Sequence, residues 1–230
     1  MVAAHSRSTI QEQLVKLYLR LNGFFVSGFV VHSATHGKNQ TELDALALRL
    51  PFSSEPEREI GPDPRLDLST KYTDLVLCEV KSRGQPLQFN AALRSKPDTV
   101  ASVLRWSGLF EEAEVCGVAD SLCAALAPEL QKPESSPTIL AARNIRVRAV
   151  LFSPERNSRR INQPWFLTGP DIIDYIWKCF CPITPRSFCA TTYDFQVWRD
   201  HEAIVRYFKS LKARQPGDIR DLYAYVEAGT

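Results

Sequence analysis

Residues 73–82 read TDLVLCEVKS, and this stretch narrows the fold more than any other. Leu75, Val76, Leu77 and Val80 put apolar side chains on both faces of an extended segment. A strand buried on both faces belongs in the interior of a sheet. At its end the pattern breaks. Glu79 and Lys81 stand two apart, so they project from one face while Val80 points to the other. A carboxylate and an ammonium at the tip of a core strand need a reason, because burying such a pair is costly.

The surrounding chain supplies the layers such a strand requires. Residues 8–22 carry Ile10, Leu14, Leu17 and Leu21 at helical spacing, with Ser8 or Thr9 as start signal and Gly23 as stop. Residues 24–32, FFVSGFVVH, read as a strand, 36–40 as a turn, and 41–50 as a second strand ended by Pro51. Residues 51–72 hold four prolines and many charges and read as an exposed excursion. After the 73–82 strand and a polar connection, Asp98 opens a helix through Val100, Val103, Leu104 and Phe110. A second helix is expected near 120–130, a loop at 131–137, an alternating strand at 144–153 and a short strand at 164–168. Pro170 starts a helix over 169–180, and two further helical patterns lie between 193 and 230. This order predicts an α/β fold around one mixed sheet. The predicted units are 1–180 and a helical C-terminal extension over 181–230.

A chain of 230 residues is long enough for one well-buried core. The formal net charge of +2 announces no anionic partner by bulk charge, so such a partner would have to meet a local patch. Arg83, Arg94 and Lys96 form one basic group, Arg156, Arg159 and Arg160 a second, and Lys209, Lys212 and Arg214 a third. Each group fits phosphate contact, and each also fits an ordinary solvated surface. The six cysteines contain no C-x-x-C pair and several sit in apolar runs, which predicts reduced thiols. Cys179, Cys181 and Cys189 lack a fourth zinc ligand at suitable spacing. The opening MVAAHSRSTIQEQ turns polar too early for a signal peptide, and no apolar run nears the ~18 residues of a membrane helix. A cytoplasmic location is the expectation.

Glu42 and Asp44 share a face of the strand before 73–82, as Glu79 and Lys81 do on theirs. If those strands are neighbours, Asp44, Glu79 and Lys81 converge at one end of the sheet. Two carboxylates and the Val80 carbonyl are hard oxygen donors of the kind that hold Mg2+ or Mn2+. A lysine beside them can orient a water or stabilise developing charge.

ELDALAL followed by LVLCEVKS resembles the active-site signature of the PD-(D/E)xK nucleases. The likeness is greatest to the Holliday-junction resolvase and Mrr-like group, where a helical glutamate precedes a strand opening similar to NGFFV. The resemblance implies a restriction-endonuclease-like core of helix, three strands, helix and strand. It implies Asp44 and Glu79 as metal ligands with the Val80 carbonyl, Lys81 as catalytic lysine, and Glu12 as an auxiliary catalytic acid. It further implies a Mg2+-dependent (or Mn2+-dependent) endonuclease that hydrolyses phosphodiester bonds in DNA, with Arg83, Arg94 and Lys96 on nucleic acid and a homodimer by analogy. The chain departs from the pattern in the 35 positions between Asp44 and Glu79, and in lacking a proline before Asp44.

Other readings stand beside these. Glu42 can replace or accompany Asp44. Thr9 and Glu12 fit a T-x-x-E capping box, although Ser8 with Gln11 can fill that role and release Glu12. His32 and His36 lie at a strand end, where four positions do not share a face as they would on a helix. Asp74 lies ~16 Å from Glu79 along an extended strand and is set aside as a partner. The alternative to an enzyme is a nuclease-fold protein with little or no catalysis, acting as a nucleic-acid-binding or assembly module.

Overall fold

The computed structural model describes residues 6–32, 39–54, 60–127, 137–157, 166–180, 199–211 and 215–229. The chain opens with α1 (Arg7–Leu21), followed by β1 (Phe25–His32), β2 (Asn39–Arg49) and β3 (Thr73–Val80). Three helices follow: α2 (Ala91–Ser95), α3 (Pro97–Ser107) and α4 (Glu112–Leu126). Then come β4 (Thr138–Ala141), β5 (Ile145–Ser153), β6 (Phe166–Thr168), α5 (Gly169–Phe180), α6 (Glu202–Ser210) and α7 (Ile219–Ala228).

The sheet runs β1-β2-β3-β5-β4, with β6 also paired to β5. β1, β2 and β3 are antiparallel neighbours, whereas β3 and β5 are parallel, as are β5 and β6. The predicted mixed sheet flanked by helices is therefore present, in a topology generically compatible with a restriction-endonuclease-like core. β3 is interior, and its alternate residues enter separate apolar layers. Val76 and Cys78 join α1, α5, α6 and α7 on one face, while Leu75 and Leu77 join α3 and α4 on the other. No helix among the described residues is long and apolar enough to cross a membrane.

Several sequence expectations change. The N-cap of α1 is Ser6, whose hydroxyl accepts from Thr9 N–H at 3.2 Å, so Thr9 and Glu12 lie inside the helix and Glu12 is not its cap. The 51–72 excursion is anchored where it is described. Asp63 is buried, its carboxylate accepts from Tyr18 Oη at 2.8 Å, and its N–H donates to Asn22 Oδ1 at 2.7 Å. β4 and α2 are too short to carry a periodic signal. The helix placed near 120–130 begins at Glu112, where Glu114 accepts from the Glu111 N–H at 2.9 Å.

β5 departs furthest from the alternating pattern, because all nine of its residues are buried. Arg146 is held by Asp74, with Nε at 2.6 Å and Nη2 at 3.0 Å. Arg148 donates Nη1 to the Leu66 carbonyl at 2.5 Å, and its Nε lies 3.2 Å from Asp74. The expectations at His36, Cys181, Cys189, Arg159, Arg160, Lys212 and Arg214 lie outside the described residues, as do the 131–136 loop and the 193–198 part of the tail.

Candidate functional site

The two strands bearing the acidic residues are neighbours. Ala45 pairs with Cys78, which sets Asp44 beside the Glu79–Val80 end of β3. The long excursion between them leaves this pairing intact. Ser27 pairs with Leu46 and Phe29 with Leu43, so Asp44 and Ala45 together oppose the single residue Gly28. This is a bulge in β2, a device that re-aims a side chain at a strand end. The Asp44 carboxylate accepts the Val80 N–H at 2.6 Å.

Glu79 is 1% exposed, and its Oε2 lies 2.6 Å from Lys81 Nζ. Both its oxygens also accept the Asn90 N–H, at 2.8 and 3.0 Å. Lys81 Nζ donates to Asn90 Oδ1 at 3.3 Å, and Asn90 Nδ2 donates to the Glu42 carbonyl at 3.4 Å. The main chain at Lys81 is fixed as well. Its N–H donates to the Phe152 carbonyl at 2.7 Å and its carbonyl accepts from Ser153 Oγ at 2.6 Å. The ends of β2, β3 and β5 and the start of α2 thus meet in one hydrogen-bonded ion-pair network.

Burial pushes the Glu79 carboxyl above its ordinary range, opposed by its bond to Lys81 and by the Lys81 charge. Burial likewise raises Asp44, against the Val80 N–H and Lys81. Glu12 is raised first by burial and next by the charge of Asp44. These carboxylates lie close enough to repel one another. Among the described residues, however, no three His, Cys, Asp or Glu side chains are grouped so that they could hold a metal ion.

That finding overturns the expectation of a Mg2+- or Mn2+-dependent endonuclease, and with it metal-assisted phosphodiester hydrolysis at Asp44, Glu79 and the Val80 carbonyl. The donor chemistry gives the reason. Asp44 bonds a backbone N–H, and Glu79 bonds Asn90 and an ammonium rather than turning toward a shared cation.

The basic residues named from the sequence are dispersed in role. Arg83 is exposed, and its N–H is fixed by Glu155 Oε2 at 2.7 Å. Arg94 is half-buried and donates Nε to the Phe89 carbonyl at 2.8 Å. Lys96 is exposed just before α3. The buried Asp74 belongs to the separate arginine cluster at the far end of β3. His201 is buried, which lowers its pKa to about 4.

Against family models, curated proteins and solved structures, the chain matches none.

Sequence reasoning missed Asn90 and gave Gln11 only a capping role with Ser8, whereas the cap is Ser6. Gln11 is 1% exposed and donates Nε2 to Ser82 Oγ at 3.2 Å, tying α1 to the loop after Lys81. The visible signal was a glutamine on the apolar face of α1, one turn below Leu14. Asn90 had no comparable signal, because its role depends on how the 83–90 connection folds back.

Proposed function

We propose that the chain is a nucleic-acid-binding module with a PD-(D/E)xK-like fold, in which the E-x-K residues hold structure. Residues 1–180 form the nuclease-like unit, and 181–230 form an extension packed on it. The observation that carries the proposal is the engagement of Glu79 by both Lys81 and Asn90 at the end of the sheet where a relative of this fold would meet its substrate. In this reading Asp44, Glu79 and Lys81 fix the strand ends, and Glu12 adds negative charge beside them. DNA phosphates would meet Arg83, Arg94 and Lys96. Arg83 and Lys96 support it by being exposed, and Arg94 by its position on the first helix after the loop.

Fluorescence anisotropy with labelled duplex DNA over a range of NaCl concentrations tests the proposal. The expected result is binding that weakens linearly in log–log form as salt rises. Addition of EDTA should leave the affinity unchanged, Mg2+ or Mn2+ should weaken it as competing counterions of the phosphates, and Arg83→Ala with Lys96→Ala should weaken it. Absence of binding at low salt removes the proposal. Assembly is the other role open to such a module, favoured by Phe25 and Phe52 at 67% and 82% exposure near edge strand β1. Concentration-dependent light scattering reads that role directly.

A further inference from the structure

We propose that α7 supplies part of the nucleic-acid surface, with Arg220 and Arg83 taking backbone phosphates from opposite sides of one cleft. This inference rests on the nucleic-acid-binding reading above and extends it to the C-terminal extension. The cleft is about 460 Å3 and is lined by Arg7, Arg83, Glu155, Asp218, Arg220 and Tyr223, among others. It joins the loop two residues past Lys81 to the first turn of α7.

Formal charge in the cleft is balanced, so the argument lies in how each group is engaged. Glu155 sits beside Arg83 but accepts from the Arg83 N–H at 2.7 Å and from Tyr223 Oη at 3.1 Å. Asp218 Oδ1 accepts the N–H groups of Arg220 and Asp221, at 2.7 and 2.9 Å. Glu227 pairs with Arg7 at 3.2 Å, and the Arg7 guanidinium lies 5.1 Å from the Tyr223 ring centroid. The side chains of Arg83 and Arg220 make no hydrogen bond or ion pair among the described residues, and both residues are exposed. The nearby carboxylates bond backbone N–H groups, a phenol and Arg7 rather than the Arg83 and Arg220 guanidinium groups, whose donors stay open to a ligand.

Both arginines also stand on fixed supports. The Arg83 backbone is held by Glu155, and the adjacent Ser82 by buried Gln11. Tyr223, itself buried, carries the same Glu155 to α7. A guanidinium whose backbone is held in place can meet a phosphate in a two-pronged bond at the ordering cost of its own side chain alone. Two such groups lining one cleft can each take a phosphate of one nucleic-acid backbone.

The test is anisotropy with fluorescein-labelled duplex DNA at a series of NaCl concentrations, using the full chain. Arg83→Ala and Arg220→Ala should each weaken binding several-fold and each flatten the log Kd against log salt slope by about 0.9, the value for one phosphate contact on B-DNA. Arg220→Lys keeps the charge and should keep the slope. Lys178→Ala, outside the cleft lining and paired with Asp174, should bind as wild type. If wild type fails to bind, the nucleic-acid reading itself falls. If wild type binds, Arg83→Ala weakens it and Arg220→Ala does not, the inference falls while that reading stands. A loss of slope in Arg220→Lys equal to that in Arg220→Ala also overturns the phosphate role.

Discussion

Glu79 and Lys81 form a pair in which one member is buried and the other nearly so, with side chains 1% and 13% exposed. Removing one partner of such a pair leaves a desolvated charge behind, at a cost of about 3–5 kcal/mol. Lys81→Met should therefore destabilise the fold by about 3 kcal/mol on that scale, measured by urea unfolding. Glu79→Leu combined with Lys81→Met should recover most of the loss, because the desolvation penalty leaves with both charges. A loss below ~1 kcal/mol in the single variant would place the pair with exposed surface bridges. The period of two along a strand made the convergence of Asp44, Glu79 and Lys81 legible from sequence. It did not disclose what engages them. Asn90 N–H and Val80 N–H are backbone donors, and every residue but proline carries one.

At the level of elements, short apolar strands and amphipathic helices were legible where their periodicity ran long enough. β5 was legible as a strand but not in its burial, because Arg146 and Arg148 at alternate positions look like a solvent face. They are buried because Asp74 of β3 and the Leu66 and Asp67 carbonyls supply acceptors from elsewhere. The junction of β6 and α5 depends on a residue with no side chain. A Cβ at Gly169 would lie 2.1 Å from the Pro154 carbonyl oxygen, a backbone atom that cannot swing away. The Gly169 N–H also bonds the Arg156 carbonyl at 3.0 Å. Gly169→Ala should cost about 1–3 kcal/mol or more through overpacking, read as a lowered thermal midpoint. A midpoint equal to wild type would show that the turn yields freely.

Taken whole, the molecule packs its C-terminal extension into the same apolar layer as α1. Phe208 of α6 and Leu222 of α7 are fully buried there with Leu14, Leu17 and Val76. Phe208→Ala should destabilise by about 3–5 kcal/mol through the cavity left behind. The loss should appear in one cooperative unfolding transition followed by both tryptophan fluorescence and far-ultraviolet circular dichroism. Two separated transitions would mean that the extension melts by itself. Sequence reading recognised helices in this region but not their seat, since helical spacing states which face is apolar and not which layer receives it.

The parallel pairing of β3 with β5 also shapes how the chain reaches this state. Asp74 and Arg146 lie side by side in register although 72 residues separate them along the chain. The β1–β2–β3 ladder closes over shorter stretches, and the entropy of closing a loop rises with its length. Emerging from a ribosome, the antiparallel half can assemble while β5 is still unmade. Until then one edge of β3 stays open, along with the partners of Asp74. A strand that will be the centre of the sheet therefore spends the early part of folding as its border, which is when such a chain is most exposed to pairing with the wrong neighbour.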